Sequence, residues 1–135
     1  MSVDMLILAA GTGSRFDKDS PKQFAEIDGL SLLHHTCKRL GSWPACYSLT
    51  ICYPESGLNL QQAADLDELA KEMERPVYRV AGGSRRDISV YFGLQHIAAR
   101  TGDAAGLVMI HDCARPFVPH TCLLYTSPSP RDATL

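Results

Sequence analysis

The feature that most constrains this chain is its start. Val3 to Ala10 is a short apolar run that closes in small residues and passes directly into Gly11-Thr12-Gly13. Such a run suits a parallel strand buried on both faces, because covering helices leave it no wet side. Three further stretches have the same short, β-rich character: Leu49 to Tyr53, closed by Pro54, then Val77 to Ala81, broken by Gly82-Gly83, and Gly106 to His111. Between them lie helical patterns. Ser31 can cap a helix through Leu40, with Leu32, Leu33, Thr36, Cys37 and Leu40 on its inner side. From Leu60 to Met73, the positions Leu60, Ala63, Ala64, Leu66, Leu69, Ala70 and Met73 recur at helical spacing, and Ser84 to Arg100 is amphipathic too. Phe24, Ile27 and Gly29 suggest a brief extended stretch and a turn. Alternating strands and helices predict an α/β fold, a mainly parallel, Rossmann-like sheet with helices on both faces and right-handed crossovers.

The bulk properties narrow the function. The chain has 135 residues, enough for one domain but short for a complete α/β enzyme. A net charge of -2 gives no basic field for nucleic acid, so any anion site must be local. No apolar run approaches the roughly 20 residues that span a membrane, and no signal-like N-terminus is present, so a cytoplasmic protein without a membrane partner is expected. The five cysteines are odd in number and lack a C-x-x-C pair, which argues against a disulfide framework or zinc site and for reduced thiols packed as small hydrophobes. Neighbouring His34 and His35 do not have the i, i+4 spacing of a helical metal pair; one is expected inward and the other outward.

In a doubly wound sheet, ligands bind beyond the carboxyl ends of the strands. Three unusual segments follow predicted strands: Ala9-Ala10-Gly11-Thr12-Gly13-Ser14-Arg15, Gly82-Gly83-Ser84-Arg85-Arg86, and His111-Asp112-Cys113-Ala114-Arg115-Pro116. In the first, Ala9 and Ala10 keep the strand end narrow, and Gly11 and Gly13 let backbone N–H groups approach phosphate oxygens. Arg15 and Lys22 supply the fixed positive charge that a polyphosphate requires. Phe16 replaces the third glycine of a dinucleotide fingerprint, and no G-K-[ST] follows as in a P-loop. The lost glycine, with no clear ribose-binding acidic residue after the second strand, argues against a dinucleotide-dependent oxidoreductase. Ser89 is equally well placed as a small residue facing the sheet, and Asp112 as a cap of the turn after its strand. Of Arg85 and Arg86, one is expected to face solvent and the other to brace a loop. His111 reads as an orienting or core histidine.

The string A-A-G-x-G-x-R followed by Pro21-Lys22-Gln23, then G-G-x-x-R-x-x-S-V as Gly82 to Val90, then His111 to Pro116, resembles the signature of the 2-C-methyl-D-erythritol 4-phosphate cytidylyltransferase family. Cys113 stands where the family's alanine is usual and narrows the space beside Asp112. The resemblance covers roughly Val3 to Pro119. It implies transfer of a cytidylyl group from CTP to a polyol phosphate, with pyrophosphate released, in non-mevalonate isoprenoid biosynthesis. It further implies that Arg15 and Lys22 hold the CTP phosphates and stabilise transition-state charge, and that backbone from Ala9 and Ala10 through Gly11, Thr12, Gly13 and Ser14 wraps the nucleotide. Gly82, Gly83 and Ser89 would read the cytosine, Asp112 would hold Mg²⁺, and Arg115 would lie beside the ribose and acceptor. A ribitol phosphate cytidylyltransferase shares the CTP loops, and a non-catalytic CTP-binding module is the reading from a different class.

After Thr121 the sequence changes character. Residues 122–135 lose helical and strand periodicity and become rich in Pro and Ser, where the family would continue with a helix. Cys122 to Asp132 back-translates in one frame to the end of a transposon-based sequencing adaptor. The expectation is a truncated nucleotide-binding part over 1–121 and a non-native or disordered tail over 122–135. On that expectation the isolated chain is impaired, its sheet has an open apolar edge, and the homodimerising arm implied for the full-length parent is missing.

Overall fold

The computed structural model describes residues 2–10, 26–27, 29–101 and 106–112. Six strands and three helices alternate there: β1 (Val3–Leu8), β2 (Glu26–Ile27), β3 (Leu30–Ser31), α1 (Leu32–Gly41), β4 (Cys46–Tyr53), α2 (Leu60–Glu72), β5 (Val77–Ala81), α3 (Arg86–Thr101) and β6 (Leu107–Asp112). Four strands form one parallel sheet in the order β5-β4-β1-β6, and β2 and β3 make a small antiparallel hairpin. Gly29, just before β3, has φ +83°, a left-handed turn conformation that glycine adopts without steric cost.

The central strand β1 is buried along its whole length and feeds two cores. Its side chains alternate between faces, as every strand's do. Val3, Met5 and Ile7 join Leu33, Cys37 and Leu40 of α1, Leu66 and Leu69 of α2, and Leu49 and Ile51 of β4. Leu6 and Leu8 join Ile97 of α3, with Cys52 and Ile110. Helices thus cover both faces, as the apolar strands require.

Local signals set the helix starts. Ser31 caps α1 by accepting from the His34 N–H at 3.0 Å, and its hydroxyl donates to Asp65 at 2.8 Å. Asn59 and Gln62 form a reciprocal capping box on α2. Leu60, expected on the inner face of α2, is 92% exposed. It occupies the first helical position, six residues before Leu66, and so lies well round the helix from the buried Leu66 and Leu69. Ala64 is exposed as well, whereas Ala63, Ala70 and Met73 are half-buried.

Two close approaches tighten the layers. Gly93 faces Leu6: a Cβ there would lie 2.5 Å and 2.7 Å from its two methyls and 3.1 Å from its Cγ. Gly93→Ala gains helix propensity of about 1 kcal/mol but overpacks by about 1–3 kcal/mol. With Leu6 fully enclosed, crowding wins; a net loss near 1 kcal/mol is expected in urea denaturation, and an unchanged midpoint would refute the contact.

Between α1 and α2, His34 is 1% exposed; its Nε2–H donates to Glu72 at 2.9 Å and its Nδ1 lies 3.7 Å from Asp65. His34 is thus the inward one of the pair, whereas His35, expected outward, is half-buried. The hydrogen bond from His34, more than the weaker pull of Lys38, holds the Glu72 carboxyl below its usual range. A depressed carboxyl contributes stability above its unfolded pKa that is lost as pH falls through its folded pKa. His34→Ala should therefore raise the Glu72 midpoint toward the ordinary carboxylate range in an NMR carboxyl titration. An unmoved midpoint would assign the depression to another group.

Candidate functional site

The strand order reverses beside β1. From β1 the chain winds outward through β4 to β5, and α3 then returns it to β6 on the other side of β1. The crevice beyond the carboxyl ends at such a reversal is where open α/β sheets bind ligands. Leu8 is in register with Asp112, so the loop after β1 and the carboxylate ending β6 leave adjacent strands at the same level.

Ala9 is buried and continues the pairing past the strand, its N–H donating to the Cys52 carbonyl at 2.8 Å. Ala10 is half-buried beside Gly82. The Gly82 N–H donates to the Tyr53 carbonyl at 2.7 Å, which draws the second loop against the ends of β4 and β1. A Cβ on Gly82 would lie 2.6 Å from the Ala10 Cβ, 2.8 Å from Ser89 Oγ and 3.0 Å from the Tyr53 carbonyl oxygen. Neither Gly82 nor Gly83 has a positive φ. Space, not backbone conformation, excludes a side chain at Gly82. Ser89 is 2% exposed, and its hydroxyl accepts from the Gly83 N–H at 3.0 Å. Its carbonyl accepts from the Cys52 thiol at 3.6 Å. Ser89 thus faces inward and fastens the second loop. Burial pushes the Cys52 thiol up to about 11, against a smaller lowering by Ser89, so it is a packing group rather than a nucleophile at neutral pH. Cys46 is also raised to about 11 by burial, and Cys37, Cys46 and Cys52 are all buried.

The arginines of the second loop divide. Arg85 is 70% exposed and pairs with Asp87 at 3.2 Å. Arg86 opens α3 and brings its Nε within 3.4 Å of Asp112 Oδ1, joining the second and third loops. His111 is buried in β6. Gly11, Thr12, Gly13, Ser14, Arg15 and Lys22 in the first loop and Arg115 in the third lie outside the described residues, as do Cys113 and Cys122. The structure therefore brings together Ala9, Ala10, Gly82, Gly83, Ser89 and Asp112 at one rim.

This rim can be set beside known proteins. The family profile described as 2-C-methyl-D-erythritol 4-phosphate cytidylyltransferase matches residues 3–127. The chain belongs to this family. The match runs past Thr121 into the segment that composition sets apart. The chain is 36% identical over 119 residues to the 2-C-methyl-D-erythritol 4-phosphate cytidylyltransferase of Vibrio vulnificus strain CMCP6, covering 88% of this chain and 47% of that protein. It is 36% identical over 120 residues to the Psychrobacter arcticus protein of the same name, covering 87% and 39%. It thus spans less than half the length of either relative. Among solved structures, it superposes on the 4-diphosphocytidyl-2C-methyl-D-erythritol synthase of Anaerococcus prevotii with a TM-score of 0.71 at 19% identity, covering 93% of this chain and 48% of that one. A bifunctional IspDF from Campylobacter jejuni gives a TM-score of 0.67 at 21% identity, covering 93% and 30%. These structures share the nucleotidyltransferase sheet.

The cytidylyltransferase motifs also mark what sequence reasoning missed. Spacing could not decide which arginine crosses to Asp112. It also passed over Asp4, a buried carboxylate inside the first apolar run. Asp4 accepts from Ser48, and Arg100 reaches it at 3.5 Å with its guanidinium 3.6 Å over the Tyr78 ring. That cluster lies at the opposite, amino-end rim. At the motif rim, Gly82→Ala should cost about 1–3 kcal/mol, because two of the three close atoms are a Cβ and a backbone oxygen that cannot swing away. A denaturation midpoint equal to that of the parent would show that the loop yields instead.

Proposed function

We propose that this chain is the nucleotide-binding part of an enzyme that transfers a cytidylyl group from CTP to 2-C-methyl-D-erythritol 4-phosphate and releases pyrophosphate. The observation that carries the reading is the meeting of motif residues at the strand-order reversal: Ala9 and Ala10 after β1, Gly82 and Gly83 after β5, and Asp112 at the end of β6. A floor with no side chain larger than a methyl at Ala9, Ala10, Gly82 and Gly83 lets a flat base and its phosphates approach backbone donors.

In this reading, backbone from Ala9 to Ser14 wraps the nucleotide, and Gly82, Gly83 and Ser89 read the cytosine. Arg15 and Lys22 hold the phosphates and Arg115 lies beside the ribose and acceptor. The acceptor's phosphate oxygen attacks the α-phosphorus in line as the bond to pyrophosphate breaks. Alignment and counter-charge carry the rate, with no protein nucleophile. Among the described residues no group of three His, Cys, Asp or Glu side chains could hold a metal ion. Asp112 offers a single, 36% exposed carboxylate. This donor fits Mg²⁺, which takes one or two carboxylates and completes its shell with phosphate oxygens and water. Mg²⁺, when bound, supplies a counter-charge to the phosphates; Asp112 would hold it. Among the described residues no helix is long and apolar enough to cross a membrane. We read the 122–135 segment as lying outside the functional fold, and the full-length parent as a cytoplasmic homodimer.

The test begins with CTP binding by this chain in Mg²⁺, with UTP and ATP as controls. Turnover is then followed by pyrophosphate release in a full-length enzyme carrying these residues, with methylerythritol phosphate and ribitol phosphate as acceptors. Contacts to developing charge contribute on the order of 3 kcal/mol each. Arg15→Ala or Lys22→Ala should therefore lower turnover by roughly two orders of magnitude or more. Turnover within threefold of the parent would reject the assigned role, and failure to bind CTP would reject the reading.

A further inference from the structure

Arg86 takes no part in the chemistry assigned to the motif loops, yet it joins two of them. It follows β5, the outer strand on one side of the sheet, and Asp112 ends β6, the outer strand on the other. Its Nε nevertheless lies 3.4 Å from Asp112 Oδ1. Among the described residues Asp112 makes no other ion pair and no other side-chain hydrogen bond. Arg85, its neighbour, is engaged with Asp87.

Three properties determine what this pair can do. A carboxylate oxygen is the hard donor that a divalent cation takes, so guanidinium and cation seek the same place. One carboxylate is a weak site for such an ion unless phosphate oxygens join it, and no group of three ligating side chains stands among the described residues. The pair is also partly open to solvent, at 46% and 36% exposure, so it is weak enough to exchange. A guanidinium is well matched to phosphate, which it can bind through two parallel N–H donors.

We propose that Arg86 is an exchangeable counter-ion for Asp112. Without nucleotide it occupies the oxygen that a divalent cation needs; a nucleoside triphosphate draws the guanidinium onto its own phosphates and frees that oxygen for the cation. The inference rests on Asp112 being the cation-holding carboxylate. Its consequence is positive coupling: free cation binds poorly, cation and triphosphate bind together, and each raises the affinity of the other by the same factor.

The test uses the 135-residue chain and Mn²⁺, followed by water-proton relaxation enhancement, which separates protein-bound from nucleotide-bound metal. Parent, Arg86→Gln, Arg86→Lys and Asp112→Asn are titrated with and without CTP, each after its circular dichroism spectrum is matched to the parent's. Arg86→Gln should bind free Mn²⁺ roughly three- to fivefold tighter than the parent, with the Mn²⁺–CTP coupling reduced by the same factor. Arg86→Lys, which keeps the charge, should stay nearer the parent. If Asp112→Asn loses Mn²⁺ but Arg86→Gln binds it no tighter than the parent, the counter-ion role is overturned and the reading of Asp112 stands. If Asp112→Asn keeps the parent's affinity, both fall together.

Discussion

The two-sided burial of β1 is the constraint on which the rest depends. One strand supplies side chains to both cores, odd positions from Val3 to α1 and α2 and even positions from Leu6 to α3. A chain that commits its first strand in this way must provide helices for both faces. It meets that need by winding outward through α1 and α2, then crossing back with α3. The return crossing creates the strand-order reversal. The ligand rim is thus a by-product of covering the second face of β1, and the loops there are free to carry chemistry because the strands beneath them are fixed by packing.

The rim itself is built by the absence of side chains. Gly82 meets Ala10 and the Tyr53 carbonyl closely enough that a single Cβ would collide. Ser89, on the first turns of α3, ties the loop down through the Gly83 N–H while its own carbonyl takes the Cys52 thiol. The arrangement exposes backbone and keeps bulk out, whereas charge is brought in from longer side chains at the margin. Asp112 and Arg86 show the second half of that scheme, meeting from the end of β6 and the start of α3.

Much of this was legible in the sequence because the signals are local. The apolar runs at Val3, Leu49, Val77 and Gly106 mark the four sheet strands, and Ser31 marks a helix start. The expected ends differ from the observed ones in instructive ways. The second sheet strand begins at Cys46 rather than Leu49, because pairing with β1 recruits Cys46 and Ser48 around an exposed Tyr47 that breaks the apolar run. The helix expected from Ser84 begins at Arg86, with Ser84 and Arg85 still belonging to the loop. Leu60 reads as inward by helical spacing but lies off the buried stripe. What remained hidden depends on distance in sequence. Asp4 is stabilised by Ser48 and Arg100, 44 and 96 positions away, and no window along the chain contains all three. The motif residues could be found as a pattern, but why Gly82 must be glycine became visible only when Ala10 and Tyr53 were seen beside it.

The Asp4, Ser48, Arg100 and Tyr78 cluster has a mechanical meaning. It fastens the last turn of α3 to the feet of β1, β4 and β5. The helix has sixteen residues and so is about 24 Å long, with Arg86 at its other end. Gly93 against Leu6 and Ser89 against Gly83 and Cys52 seat the same helix along its length, so the Arg86 end is held from both directions. The amino-end cluster and the Ser89 contacts thus anchor opposite ends of one helix, and Arg86 projects from the end that Ser89 fixes.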